Sequence, residues 1–317
     1  MSGQTPIDRI NLEGDFEPFV AQVAEAFQIV EPTGHTVIEV GYEDCNVVID
    51  AKDNRYLAKM FAKTRKPEEV GRYVEIMEQV VAAGVSHPEL LKTKTGDTVL
   101  SASGVSLVVM PFINGKTFFE LDRAPNPAER RAVLEQAAKV NAIDYKPTYL
   151  FDSWAVPNIQ AMFERVQQYV ESDDLELAKK AMAAYADIPV NDLPHSFVHG
   201  DFTKTNVLLS DDGQIYILDF SVANYYPRIQ ELAVIVANLL HDGSDQSLAE
   251  KCQVVADEYR QFSDLTDLER QHLPAYALAA VAMEFLGAHQ EKYINGNDTE
   301  ETDYWLNVGR EGLRREL

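Results

Sequence analysis

Basic charge, cysteine and long apolar runs are all scarce in this chain, and each shortage excludes something. Only 28 Lys and Arg stand against 51 Asp and Glu, a formal net charge of −23. So acidic a chain repels phosphate backbones, and nucleic acid is not an expected partner. An acidic groove would suit a cationic small molecule, but the acids are spread along the chain, and general solubility accounts for them better. Two cysteines, Cys45 and Cys252, build no disulfide framework and read as buried thiols. No run reaches the roughly eighteen apolar residues of a membrane span, so no membrane role is expected. Met1 to Pro6 lacks the basic start and apolar core of a signal peptide, which makes the cytoplasm the expected location. His35, His87, His195, His241, His272 and His289 show no metal-ligand spacing.

What is present fits a folded protein of 317 residues, 46% hydrophobic and 25% charged, long enough for two lobes or one large domain. An amphipathic helix is expected over residues 16–27. Three β-rich runs follow, at 36–40, 45–50 and 55–61, then a helix over 67–84 with Val70, Tyr73, Val74, Met77, Val80 and Val81 on one face. A strand pair across 92–109 would turn at Thr95-Gly96-Asp97. Beyond Gly115 the pattern becomes helical, at 127–143, 159–170 and 174–186. Residues 231–240 read as a central helix buried all round. Further helices are expected at 247–262, 266–293 and 304–317, with Thr266 and Glu269 forming a capping box.

The most telling stretch is His199-Gly200-Asp201-Phe202-Thr203-Lys204-Thr205-Asn206, followed by Ile217-Leu218-Asp219-Phe220. Ser196-Phe197-Val198 and Val207-Leu208-Leu209 read as strands on either side of the loop. Asp211-Asp212-Gly213 reads as a hairpin turn before the returning strand at Ile215. Asp201, Asn206 and Asp219 are thereby brought close together. Phosphoryl transfer needs one carboxylate to orient or deprotonate the acceptor hydroxyl, and an amide with a second carboxylate to hold Mg²⁺ against the ATP phosphates.

On these motifs the chain resembles the aminoglycoside phosphotransferase and choline kinase family, small-molecule relatives of the protein kinases that include homoserine-kinase-like members. The family carries His-Gly-Asp where protein kinases carry His-Arg-Asp, and Asp219-Phe220-Ser221 likewise lacks the following Gly. The likeness runs from about Val37 to about Phe285. It implies an α+β, bilobal protein-kinase-like fold, with a nucleotide-binding lobe at 1–113 and a helical lobe at 114–317.

The resemblance also implies site roles. Asp201 is the expected catalytic residue, with Asn206 and Asp219 as metal ligands. Lys59 lies in the apolar strand end Leu57-Ala58-Lys59-Met60-Phe61, where its charge must either reach water or meet an anion. In the family such a Lys grips the α- and β-phosphates and pairs with a helix Glu. Glu75 is the expected partner, although a shift of one turn would exchange it with Glu78. Met110, Pro111 and Ile113 lie where the family binds adenine. Pro111 has a carbonyl but no N–H, and Ile113 can supply the N–H. A buried edge strand turning at Asn114-Gly115 would give the same local pattern.

Several points depart from the family or stay open. No Gly-rich loop precedes Lys59. Lys204 is expected to face solvent rather than the γ-phosphate. Glu231-Leu232-Ala233 stands where the family has Asp-Leu-Ala, whose carboxylate braces the catalytic loop. His199 is expected to hold the loop rather than act as a base. Trp154, Tyr225, Tyr226, Glu284 and Trp305 are conceivable acceptor-pocket walls, though each alone is more often core. The reading is an ATP- and Mg²⁺-dependent kinase acting on a hydroxyl of an aminoglycoside, homoserine, choline or similar small molecule. A silent nucleotide-binding regulator of the same fold and a protein kinase are the rivals, and the oligomeric state is open.

Overall fold

The computed structural model describes residues 5–244 and 246–317, which fall into two compact units. The first holds residues 5–81 with 87–114, and the second holds residues 82–86 with the rest of the chain from Gly115. Among the described residues no helix is long and apolar enough to cross a membrane.

The first unit is built on an antiparallel sheet of β1 (Pro32–Ile38), β2 (Cys45–Ala51), β3 (Arg55–Met60), β4 (Leu100–Ala102) and β5 (Val105–Pro111), in the order β1-β2-β3-β5-β4. Helix α1 (Phe16–Ala26) gives Phe19, Val20, Val23 and Ala24 to one buried cluster with Val47, Ile49, Ala58, Met60, Leu107 and Val109. Strand side chains alternate between faces. Ala58 and Met60 therefore point to the α1 side, and Lys59 between them points to the other. There its Nζ lies 5.8 Å from the ring centre of Tyr73, on α2 (Pro67–Ala82).

One hairpin differs from its sequence expectation. The turn joining β4 and β5 is Ser103-Gly104, with φ of 49° and 79°, the left-handed pair that a two-residue hairpin turn demands. Thr95-Gly96-Asp97 closes a small loop instead, with the Thr93 N–H donating to the Asp97 carbonyl at 2.8 Å.

The second unit carries α3 (Pro127–Asn141), α4 (Ile159–Val166), α5 (Ser172–Ala186), α6 (Ile229–Val234), α7 (Leu248–Tyr259), α8 (Asp267–His289) and α9 (Glu300–Glu316). Capping boxes open α3, α7 and α8 at Asn126, Ser247 and Thr266, satisfying backbone donors that a helix start leaves unpaired. A π-helical turn, Ile235–Leu239, extends α6. The strands are β6 (Gly115–Thr117), β7 (His195–Val198), β8 (Val207–Ser210), β9 (Ile215–Ile217) and β10 (Asn224–Pro227). β6, β8 and β9 form one small sheet, and β10 pairs with β7 in another. β10 has no counterpart in the sequence reading.

Candidate active site

The loop between β7 and β8 is fastened at several points along its length. His199 is fully buried, and its two ring nitrogens have different tasks. Nδ1 accepts from the Asp201 N–H at 3.0 Å, and Nε2 donates to the Leu218 carbonyl at 2.8 Å. The ring stacks edge-on against Phe202 and Phe220, with centroids 5.2 and 4.4 Å away. Burial pushes the imidazole down to about 4, so it stays neutral. With both nitrogens engaged it has no site left to take a substrate proton. His199 is a strut between the Asp201 loop and the strand end that leads to Asp219.

The structure brings Asp201, Asn206 and Asp219 together. Asn206 Nδ2 donates to Asp201 Oδ2 at 2.5 Å, and the Leu218 N–H donates to the Asn206 carbonyl at 2.8 Å. The Asp219 charge reaches both Asp201 and His199. Burial first, and that neighbouring carboxylate after it, push Asp201 up to about 6. Asp219 sits in the left-handed region at φ 58°, a conformation that Asp tolerates better than most residues. Its Oδ1 accepts from the Ser221 N–H and hydroxyl at 3.1 and 2.6 Å.

Two side chains of one helix hold this loop. Glu231 is fully buried, accepts a short hydrogen bond from the His199 N–H, and accepts from the Gly200 N–H at 3.2 Å. The extra methylene relative to Asp thus does not prevent the bracing contact. Further along, Asn238 Oδ1 accepts from the Lys204 N–H at 2.9 Å. The expectation that Lys204 faces solvent is wrong: the residue is only 4% exposed. Asn238 draws its backbone inward, the Phe119 N–H donates to its carbonyl at 3.0 Å, and its Nζ lies 3.5 Å from Tyr304 Oη.

In the first unit Lys59 meets an anion that the sequence reading missed. Its Nζ lies 3.0 Å from Asp44 Oδ2, and both side chains are buried. Asp44 also takes the Ala62 N–H at 2.9 Å and Arg65 Nε at 3.0 Å. It lies in the turn between β1 and β2, where acids are usually solvated, so nothing local marked it. Glu75 and Glu78 both lie on the exposed face of α2. Met110 is buried in β5 and Pro111 ends that strand, opposite Tyr56. Beyond it, the Arg55 guanidinium lies over the Phe112 ring, 4.2 Å from its centre. Ile113 lies between this residue and Asn114, whose Oδ1 accepts from Arg55 Nη1 at 3.4 Å. Cys45 and Cys252 are buried free thiols, as expected.

The bilobal α+β architecture is that of the protein-kinase-like enzymes. Amicoumacin kinase hAmiN, solved with AMP-PNP and Ca²⁺, superposes with a TM-score of 0.67 at 14% identity over 95% of this chain and 93% of that one. A choline/ethanolamine kinase family protein from Mesorhizobium loti gives 0.67 at 16%, over 94% and 93%. The model of the phosphotransferase enzyme family matches residues 34–265, and the chain belongs to that family. The homoserine kinase of Zymomonas mobilis subsp. mobilis is 24% identical over 264 residues, 81% of each chain.

Proposed function

We propose that this phosphotransferase moves the γ-phosphoryl group of ATP to a hydroxyl of a small molecule, with homoserine and related amino alcohols as the first acceptors to consider. The observation that carries this reading is the constellation of Asp201 and Asn206, on a loop fastened by His199, Glu231 and Asn238, with Asp219 just past the end of β9. A carboxylate raised to about 6 can accept a hydroxyl proton near neutral pH and still be largely ionised. Asp201 orients and deprotonates the acceptor.

The residues present fit Mg²⁺. Asn206 Nδ2 is engaged by Asp201, which leaves Oδ1 without a hydrogen bond among the described residues. That amide oxygen and the Asp219 carboxylate are the hard oxygen donors Mg²⁺ takes when phosphates and water complete its shell. When bound, Mg²⁺ supplies positive charge against the phosphates. Lys59, with Glu75 in support, holds the α- and β-phosphates, and the segment Met110, Pro111 and Ile113 receives the adenine. The homoserine kinases among the relatives favour an acceptor carrying both a hydroxyl and an amine.

The test is Mg²⁺-dependent ADP release across homoserine, amino alcohols, choline, aminoglycosides and sugars, with Asp201→Asn as the control. Loss of a general base is expected to lower turnover by about 10²- to 10⁴-fold while ATP binding persists. Turnover unchanged in Asp201→Asn would overturn the role of Asp201. Silence toward every acceptor, with ATP still bound, would favour a nucleotide-binding regulator.

A further inference from the structure

The chain ahead of the family match, which begins at residue 34, is tied to the turn that faces Lys59. Pro6–Arg9 forms a 3₁₀ turn, opened by a capping box between Thr5 and Asp8. Ile10, just past it, is 5% exposed and belongs to the α1-side cluster of the first unit. At this anchored point the Arg9 carbonyl accepts from the Lys63 N–H at 2.9 Å, and Lys63 Nζ donates to the Asp8 carbonyl at 3.0 Å.

The Arg9 guanidinium reaches the turn between β1 and β2. Its Nη1 donates to the Gly41 carbonyl at 2.7 Å, partly shielded from water. Gly41 has φ 103°, a conformation glycine adopts readily and other residues do not, so the direction of that carbonyl depends on glycine. Three residues on, Asp44 leaves the same turn toward Lys59 and also takes the Ala62 N–H at 2.9 Å. Ala62 and Lys63, adjacent residues past the end of β3, therefore serve two ends of one circuit. Ala62 holds the turn through Asp44, Lys63 holds the Arg9 backbone, and the Arg9 side chain closes the ring at Gly41. The Arg9 charge is felt at Cys45, in the α1-side cluster, whereas Asp44 points to Lys59 on the other face of the sheet.

We propose that Arg9 is a positioning residue for the nucleotide: by holding the Gly41 carbonyl it fixes the β1–β2 turn against Lys59, ready for the phosphates that Lys59 receives. The inference rests on the kinase reading above and assigns part of the phosphate grip to a segment outside the family match. A turn left loose must be ordered when nucleotide binds, at a cost in conformational entropy. A turn already held by a charged donor avoids that cost, and the gain appears as affinity.

The experiment compares Arg9→Met and Arg9→Lys with the unaltered protein. Methionine keeps the apolar stem and loses every donor, whereas lysine keeps a donor and the charge. Calorimetry measures binding of ATP and ADP with Mg²⁺, and of adenosine. Hydrogen exchange without nucleotide follows the amides of residues 39–44. In Arg9→Met the dissociation constants of ATP and ADP are expected to rise about tenfold, adenosine binding to stay unchanged, and the turn amides to exchange faster. Arg9→Lys should recover part of each change. Weakened ATP with unchanged exchange in the turn would make Arg9 a distant charge and overturn the positioning role. Equal weakening of all three ligands would mark a general loss of structure and overturn it too. ATP bound equally by all three proteins would overturn this role alone, whereas ATP bound by none of them would overturn the kinase reading and this role with it.

Discussion

Glu231 and Asn238 lie seven residues apart on one buried helix and hold opposite ends of the loop that carries Asp201. Glu231 takes the His199 and Gly200 N–H groups, and Asn238 takes the Lys204 N–H. Two α-helical turns would return a side chain to nearly the same face, and the π-helical turn at Ile235–Leu239 shifts Asn238 around the axis. Glu231→Ala leaves the buried His199 N–H and the partly buried Gly200 N–H unpaired, the first costing about 1–3 kcal/mol and the second less. The expected result is a lower urea midpoint together with a fall in kcat. Glu231→Asp, one methylene shorter, should recover most of both. A Glu231→Ala protein with unchanged midpoint and kcat would remove the brace from the account.

Legibility from sequence followed the distance over which each feature is decided. Asp201, Asn206 and Asp219 come together through a loop and a tight hairpin within nineteen residues, so local strand and turn chemistry was enough to place them. The fate of Lys204 was set by Asn238 and Tyr304, 34 and 100 residues further on, and a local reading misassigned it to solvent. β10 was invisible because Asn224-Tyr225-Tyr226-Pro227 is only four residues long, begins and ends with the strand-poor Asn and Pro, and pairs with β7 across the Asp219 turn. Asp44 was unreadable for the same reason: its three partners lie on or beyond β3. Thr95-Gly96-Asp97 is the stronger turn signal in composition, yet only Ser103-Gly104 has strands on both sides.

Asp44 is the counter-ion of the first unit's most buried cation. The Lys59 and Asp44 side chains are 4% and 2% exposed, and Arg65 adds a second positive charge at the same carboxylate. Removing one partner from such a buried pair leaves charge uncompensated, at about 3–5 kcal/mol. Asp44→Ala is therefore expected to melt well below the unaltered protein. ATP should restore part of the loss if Lys59 grips phosphate, because the ligand then supplies the missing negative charge. A melt raised by ATP equally in both proteins would separate Lys59 from the phosphates.

Gly309 sets how closely α9 approaches α8. A Cβ there would stand 2.5 Å from the Phe285 nitrogen and 2.7 Å from its Cα, both backbone atoms that cannot turn aside. Gly309→Ala must push the helices apart, and overpacking of this kind costs about 1–3 kcal/mol. Gly71, exposed on α2 with nothing within 4 Å of a Cβ, is the matched control. Gly71→Ala should gain up to about 1 kcal/mol from helix propensity. Denaturant midpoints moving in opposite directions would confirm the contact, and a neutral Gly309→Ala would deny it.

Two buried carboxyls give the stability of this protein a pH dependence of definite sign. Burial pushes Glu231 and Glu284 up to about 8, from an ordinary value of 4.5. Between those values the folded protein holds protons that the unfolded chain has released. Their contribution is fully present below pH 4.5 and is lost as pH rises through 8, with a slope of at most about 1.4 kcal/mol per pH unit for each group. Glu284→Gln removes one of the two without removing volume or the acceptor for Asn238. Its urea stability, measured at steps from pH 5 to pH 8, should therefore decline less steeply than that of the unaltered protein, by about one proton's worth of slope. Asp201 contributes to both proteins alike and cancels in the difference. Parallel pH profiles would mean that Glu284 is already ionised in the folded protein, its charge balanced by the Asn238 amide and by solvent reaching Oε2.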